Sequence, residues 1–426
     1  MGIAGDIYRI IKMVTIRIIR VLLICLLSGY TTCFAQKPVI QQIDKESAGN
    51  GEIITLQGTF NTTAGRLAVT FGATRGTVEF VSDQILEVKV PAGATYDNII
   101  VTDVVAGLSH QTNNPFLYTF GGNHGITAGN LEGQLDFDSE TGLYDMCMCD
   151  FDNDGRTDVA TANDGANSIS VLANTTTATG LANISFNRIP FLIGARSIHS
   201  KCGDIDNDGK PDLVVSEGGA NGDRLFIFRN TSTGAGVFTF SIQSIPLTGK
   251  KVKRIEIADL DNDGKPELII SNQTGNDINI LVNQSTPGSI TFAATAITLP
   301  TTGIASTDGL AVNDLNNDGL PEIVTSQFLT QTSNIFIHRN TSIPGNISFA
   351  FDQTLSIGGT VVNLKIGDLD GDGKPEIAAT QLIGNSVSVF RNQSTSSIAF
   401  ATAVSFATAP RAWGLDFGDI DGDDLA

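Results

Sequence analysis

Acidic side chains recur at a fixed spacing along the second half of this sequence. The pattern Asp-x-Asp/Asn-x-Asp-Gly-x-x-Asp/Glu begins at Asp150, Asp204, Asp259, Asp314 and Asp368, and an incomplete copy begins at Asp419. These starting points are 54, 55, 55, 54 and 51 residues apart. Carboxylates crowded into one tight turn repel one another unless a cation lies between them. The spacing therefore indicates repeated cation-binding loops rather than a generally acidic surface.

Oxygen-rich loops of this kind suit calcium, a hard cation that takes about six to eight oxygen ligands. Within each nine-residue motif, we expect coordination by the side chains at positions 1, 3, 5 and 9 and by the backbone carbonyl of position 7. The expected ligands are Asp150, Asp152, Asp154, Arg156 and Asp158 in the first loop; Asp204, Asp206, Asp208, Lys210 and Asp212 in the second; Asp259, Asp261, Asp263, Lys265 and Glu267 in the third; Asp314, Asn316, Asp318, Leu320 and Glu322 in the fourth; Asp368, Asp370, Asp372, Lys374 and Glu376 in the fifth; and Asp419, Asp421 and Asp423 in the partial sixth. Asn316 replaces an acid, so the fourth loop is predicted to bind more weakly.

The remaining motif positions fit the same interpretation. Glycine at position 6 permits a tight turn, and Asn or Gly at position 4 tolerates a left-handed backbone. Position 2 is always apolar and is predicted to anchor the loop in the core. EF-hand and dockerin-like loops share the first ligands but require flanking helices. A plain acidic turn without metal is the remaining alternative.

Short apolar segments flank every loop and alternate with period two, as strands do. One precedes the motif, such as 254–258, and two follow it, such as 268–270 and 278–282. A fourth is marked by Ile-x-Phe or Phe-x-Phe, as in 290–292. Four short antiparallel strands in each repeat predict the blade of a β-propeller, in which stacking buries the faces that one blade leaves exposed.

These repeats resemble FG-GAP-like repeats of the bacterial VCBS type, which are related to the blades of the integrin α-chain propeller. The resemblance covers residues 125–426 and implies an all-β propeller of seven blades when complete, with calcium in its loops. The literal Phe-Gly and Gly-Ala-Pro segments are not evident, so integrin-type ligand recognition is not implied. Because the sequence stops inside a repeat, we expect a fragment of a longer chain, and Leu131–Phe137 is a candidate strand for ring closure.

An earlier segment, residues 37–120, lacks the motif and alternates apolar and polar residues in short runs typical of a small β-sandwich. It contains Pro38-x-Ile40, the run 54–60, the run 69–72 and a closing Phe116-Leu117-Tyr118. This arrangement resembles an IPT/TIG domain, an immunoglobulin-like fold that usually serves as a spacer or an interaction module in secreted bacterial proteins. The predicted fold class is therefore an immunoglobulin-like sandwich followed by a propeller.

The first 35 residues have the features of a secretory signal peptide. Arg17 and Arg20 precede the apolar run 21–27, and Ala35 suits a cleavage site. Export would leave Cys147, Cys149 and Cys202. We expect Cys149 and Cys202 to be packing residues, and Cys147 and Cys149 are badly placed to bond with each other because they are two apart on one strand.

The net charge and the motifs that are absent argue against some classes of function. A net charge of −19 argues against nucleic acid as a partner, and no H-E-x-x-H or G-x-S-x-G motif indicates a hydrolase. The sequence favours a secreted or cell-surface, non-catalytic adhesion or protein-interaction module with an extracellular protein or glycan partner. A carbohydrate-binding propeller is the first alternative, and a propeller polysaccharide lyase is the second. Asn-x-Ser/Thr recurs after the third strand of each repeat, and we expect it to mark a hairpin turn rather than glycosylation.

Overall fold

The computed structural model describes residues 37–419 except 73, 120–134, 178–182, 220–223, 248, 275–276, 301–306 and 329–331. The predicted signal peptide therefore lies outside the described residues. The fold is all-β, as predicted. None of the described residues belongs to a helix long and apolar enough to cross a membrane.

The first domain is a sandwich of two sheets with strand orders β1-β3-β7-β6 and β2-β9-β8-β4-β5. Its strands are β1 Val39–Ile43, β2 Ser47–Ala48, β3 Ile53–Thr59, β4 Leu67–Phe71, β5 Thr74–Arg75, β6 Thr77–Val81, β7 Ile85–Lys89, β8 Asp97–Asp103 and β9 Leu108–Tyr118. Alternate side chains meet between the sheets, where Phe71 packs edge-on against Phe116 at 5.1 Å between ring centroids. The period-two runs of the sequence thus form this domain's core.

Five four-stranded antiparallel sheets follow, each in simple sequential order. Their strands are β10 Leu143–Cys149, β11 Asp158–Asn163, β12 Ser168–Asn174 and β13 Phe186–Leu192 in blade 1; β14 Ser197–Gly203, β15 Asp212–Glu217, β16 Arg224–Asn230 and β17 Phe240–Pro246 in blade 2; β18 Val252–Ala258, β19 Glu267–Asn272, β20 Asp277–Leu281 and β21 Ile297–Pro300 in blade 3; β22 Thr307–Asn313, β23 Glu322–Gln327, β24 Thr332–Asn340 and β25 Phe349–Gly358 in blade 4; and β26 Val361–Gly367, β27 Glu376–Gln381, β28 Ser386–Phe390 and β29 Val404–Ala407 in blade 5. The first strands of successive blades contact one another.

Apolar clusters fill the space between neighbouring blades. One cluster joins Val214 and Ile227 of blade 2 to Ile255 and Leu268 of blade 3. The position-2 anchors Phe151, Ile205, Leu260 and Leu315 are 0–1% exposed, as predicted, whereas Leu369 is only partly buried. Each complete motif therefore begins where a first strand ends, and the acidic loops gather at one end of the blades.

Two local expectations have different outcomes. The candidate closure strand Leu131–Phe137 includes 131–134, which lie outside the described residues, and 135–137 form no strand, so this expectation stays a prediction. The second expectation is wrong. The Ile-x-Phe and Phe-x-Phe pairs predicted within the fourth strands stand at or before their starts: Phe292 forms only an isolated bridge with Asn283, and β21 begins later, at Ile297.

Cys149 and Cys202 form a disulfide between blades 1 and 2, with their Cα atoms 6.6 Å apart, so their assignment as packing residues is corrected. The reason is a recurring contact: the last residue of one first strand faces the penultimate residue of the next. In the following pair of blades, a Cβ built on Gly203 would lie 3.3 Å from Ile257 Cδ1. Cys147 is not disulfide-bonded.

Candidate metal sites

The turns that carry the acids have the predicted backbone. Position 4 is left-handed in all five loops, with φ between 55° and 72°, at Asn153, Asn207, Asn262, Asn317 and Gly371. The position-6 glycines have φ of 76–91°. These values favour Asn and Gly and are strained for other side chains. The residue types at positions 4 and 6 therefore follow from the shape of the loop.

Each position-1 carboxylate is fixed by the turn that follows it. Asp150 Oδ1 accepts a hydrogen bond from the Asp154 N–H at 3.0 Å, and its Oδ2 accepts one from the Gly155 N–H at 2.9 Å. The same pair recurs in the other four loops at 2.7–3.2 Å. The loop backbone therefore holds this carboxylate in one orientation before any ligand binds.

The position-9 carboxylate bridges the two sides of the loop. Asp158 accepts hydrogen bonds from the Phe151 N–H at 3.0 Å and from the Asn174 N–H at 2.7 Å. Equivalent bonds reach Asp212, Glu267, Glu322 and Glu376. The acid predicted only as a closing ligand therefore also joins the loop to the end of the third strand.

The structure brings predicted ligands together in four of the five complete loops. Three carboxylates with oxygens within 4.8 Å of one another occur as Asp150, Asp152 and Asp158; Asp204, Asp206 and Asp208; Asp259, Asp261 and Asp263; and Asp368, Asp370 and Glu376. The fourth loop has no such trio among the described residues, as expected where Asn316 replaces an acid. Several acidic clusters could therefore bind a metal ion.

The other predicted ligands are placed as follows. In every complete loop, the position-7 N–H donates a hydrogen bond to the position-5 aspartate. The position-7 residues that lie beside this aspartate are Arg156, Lys210, Lys265, Leu320 and Lys374. Arg156 also pairs with Asp154 through its guanidinium at 2.7 Å. Asp419 is fully buried. Asp421 and Asp423 lie outside the described residues.

Burial makes these acids difficult to ionise in the metal-free protein. It raises the pKa of Asp150 and Asp158 to about 7, that of Glu322 to about 8 and that of Glu267 to about 9. Neighbouring carboxylates of the same loop raise these values further. Clustered oxygens with unfavourable negative charge are the donor set that a hard dication stabilises. The residues present therefore fit calcium.

The loops also join neighbouring blades, a role that the sequence did not reveal. The position-4 amide of Asn207 donates to the Gly264 carbonyl of the next loop at 2.8 Å. The second oxygen of Asp206 accepts a bond from the Gly288 N–H of the next blade at 3.0 Å. A metal held by these acids would therefore act directly on contacts between blades.

In blades 2 to 5, an asparagine at the end of the third strand or two residues past it strengthens the same junction. Asn283 Nδ2 donates to the Ile205 carbonyl of the preceding blade at 2.8 Å and to the Pro266 carbonyl at 2.7 Å. Its equivalents in blades 2, 4 and 5 repeat the pattern, and all four amides are 0–3% exposed: Asn230, Asn283, Asn340 and Asn392. These asparagines tie blades together, and such burial excludes glycosylation of the folded chain. Because these asparagines recur at one position of the repeat, the sequence contained a signal from which a structural role could have been predicted.

A second polar cluster lies near the starts of the first strands, at the opposite ends of those strands from the acidic loops. His199 Nδ1 is 3.3 Å from Asp145 Oδ2 and 3.4 Å from Arg254 Nη1, and Tyr144 packs edge-on against the imidazole. Arg254 also donates to the Val362 carbonyl, joining blade 3 to blade 5. Burial lowers the pKa of His199, so the ring is neutral near pH 7. We call these five residues the axial cluster.

Family models match this chain over its repeats and over its first domain. Models of the FG-GAP-like repeat match residues 150–215, 204–270, 259–325, 314–379 and 368–426, and a model of the IPT/TIG domain matches residues 38–120. A search of curated proteins found no match.

The solved structures that match most of this chain share little sequence with it. An auxiliary nutrient binding protein from Bacteroides ovatus is 11% identical, with a TM-score of 0.34 over 86% of each chain. One from Bacteroides thetaiotaomicron is 12% identical, with a TM-score of 0.30 over 80% of this chain and 95% of that one. The Dos1 propeller is 10% identical, with a TM-score of 0.37 over 83% and 72%. The repeat matches span more than half of the chain, which therefore belongs to the FG-GAP-like repeat family and carries an IPT/TIG domain ahead of its propeller blades.

Proposed function

We propose that this protein is a secreted or cell-surface β-propeller that binds calcium structurally and serves as a non-catalytic adhesion or protein-interaction module. One observation supports the proposed calcium binding: acidic side chains with raised pKa values are buried at the junctions between blades. Asp206 belongs to such a loop, burial raises its pKa to about 6, and it bonds to the next blade. Calcium would neutralise this charge and so stabilise the contacts that hold the blades in register.

The disulfide supports an extracytoplasmic location. Bonds such as Cys149–Cys202 form and persist in oxidising compartments and are rare in the cytosol. FG-GAP-like repeats and IPT/TIG domains are also typical of extracellular proteins. Calcium is plentiful outside cells, where modules often bind it with dissociation constants of about 10⁻⁴–10⁻³ M.

Thermal denaturation with and without calcium tests the structural role. At 2 mM calcium and a dissociation constant of about 10⁻⁴ M, each site adds about 1.8 kcal/mol to the free energy of unfolding. Asp204→Asn, in a buried loop, should remove part of this gain. Asp352→Asn, on an exposed acid of β25, is the matched control and should keep all of it. Equal calcium-dependent shifts in both variants would refute the assignment.

Carbohydrate binding is a second candidate function, favoured by the axial cluster. Tyr144 is 48% exposed beside Asp145, His199 and Arg254, which combines an aromatic face with directional polar groups. Trp413 is 52% exposed and stands at the equivalent position, six residues before its motif. Saccharide sites commonly use such pairings of a ring face with hydrogen-bonding groups. The other repeats have Ile198, Lys253, Asp308 and Val362 at this position, so the support for a ligand of that class comes from Tyr144 and its polar neighbours.

A glycan array tests this second candidate. Tyr144→Ala should abolish any binding that the wild-type protein shows. Phe406→Ala is the control because this exposed aromatic lies on the outer strand β29, away from the cluster. Loss of binding in both variants, or retention in both, would contradict a glycan site at the axial cluster.

A further inference from the structure

The first domain docks on the end of the propeller that carries the acidic loops. The Ser109 N–H and hydroxyl both donate to the Gly264 carbonyl of the third loop, at 2.8 and 3.1 Å. In the fifth loop, the Asp368 N–H donates to the Tyr96 hydroxyl at 2.7 Å. Gly264 and Asp368 are motif positions 6 and 1. The acidic loops therefore form the surface that the first domain contacts.

One lysine side chain of the first domain contacts the third acidic loop. Lys37 Nζ donates to the Asn262 carbonyl at 2.5 Å and lies 3.4 Å from Asp259 Oδ2. The two side chains are only 19% and 8% exposed. Asp259 is the position-1 residue that the third loop offers to calcium, and the same Oδ2 already accepts the Gly264 N–H at 2.8 Å. An ammonium group and a calcium ion would therefore share one carboxylate.

Lys37 differs from the cations beside other loops in where it is anchored. Arg156 belongs to the first loop itself, and Arg391 follows the third strand of blade 5; their side chains are 46% and 59% exposed and can swing into solvent. Lys37 is two residues from β1, where the Ile40 N–H donates to His110 Nδ1 at 3.2 Å. Its position therefore follows that of the first domain.

Electrostatic repulsion determines how the Lys37 ammonium group affects a calcium ion in the third loop. The Lys37 ammonium offsets the negative charge of the metal-free third loop, but it repels a dication bound to the same carboxylate. Calcium therefore has to displace Lys37 or bind beside it at an electrostatic cost. Among the residues that the structure describes, no ion pair joins the first domain to an acid of the first, second or fifth loop.

We propose that Lys37 lowers the calcium affinity of the third loop, so that calcium in this loop and docking of the Lys37 side chain oppose each other. The inference rests on the proposed calcium binding and adds a link between domains. The third loop has all four acids, yet it should fill after the first, second and fifth loops. The calcium concentration would then control how firmly the N-terminal strand is held on the propeller.

Calcium isotherms of Lys37→Met and Lys45→Met proteins test the proposal. Lys45 lies in the same domain and pairs with Glu52 away from the loops, so its removal should change nothing. Removing the Lys37 charge should tighten one site by about tenfold without changing the number of ions bound. Lys37→Gln, which keeps a polar group near Asn262, should give the same gain and covers the case in which the Met variant misfolds.

A second background identifies the loop concerned. In an Asp259→Asn protein, which weakens the third site itself, Lys37→Gln should no longer alter the isotherm. Identical isotherms for Lys37→Gln and Lys45→Met, with calcium bound in both, would overturn the role of Lys37. Absence of calcium binding in wild-type protein would instead overturn the proposed calcium function, so the two failures are distinguishable.

Discussion

Replacing Asn340 with alanine should weaken the junction between blades 3 and 4. The amide is 2% exposed, and its Nδ2 donates to the carbonyls of Leu260 and Pro321 at 2.8 and 2.9 Å. Its Oδ1 accepts the Ser342 N–H at 2.9 Å. Each lost hydrogen bond costs about 1 kcal/mol, and buried groups left without partners cost more. Asn340→Ala should therefore lower the free energy of unfolding by about 3–5 kcal/mol.

The matched control is Asn174→Ala, at the same position of blade 1. Its amide donates to the Thr157 carbonyl of its own blade at 3.0 Å, and no contact with another blade is described for it. We expect a loss of about 1–2 kcal/mol for this variant. Chemical denaturation in saturating calcium measures both variants. If Asn340→Ala is no more destabilising than Asn174→Ala, the inter-blade role of these asparagines is refuted.

Three further predictions concern the buried carboxylates, the disulfide and Arg254 of the axial cluster. In chelator, stability should fall from pH 5 to pH 9, because the folded-state pKa values of Asp150 and Glu267, about 7 and about 9, exceed those of the unfolded chain; a flat melting-temperature profile would contradict this. Cys149→Ala should cost about 2–4 kcal/mol under oxidising conditions and nothing in reductant, as denaturation can show. Arg254→Met removes the bond to the Val362 carbonyl and should cost about 1–2 kcal/mol; an unchanged unfolding midpoint would exclude a contribution from this bond.

Most of the fold could be predicted because the repeat carries two signals in one phase. Alternation of apolar residues sets the faces of the strands, and the acidic motif sets where each first strand ends. All five first strands stop one residue before the motif, as at Ala258 before Asp259. The fourth strands were placed less well, because Ile290 and Phe292 pack into the core within the hairpin that precedes β21.

The sequence identified the residues of each loop but not their partners in other blades. A repeat shows which residues recur and leaves open which neighbour they touch, so the link from Asn207 to Gly264 was missed. The Cys149–Cys202 disulfide was missed for the same reason. Lys37 occurs once, outside the repeats, and nothing in its local sequence connects it with the third loop.

Calcium content at equilibrium tests the central claim most directly. Purified protein dialysed against 2 mM radiolabelled calcium, about twenty times a dissociation constant of about 10⁻⁴ M, should retain about four to five ions per chain. Chelator should remove these ions and lower the melting temperature in parallel. No bound calcium, or unchanged melting after its complete removal, would contradict the account that metal-filled loops hold neighbouring blades together.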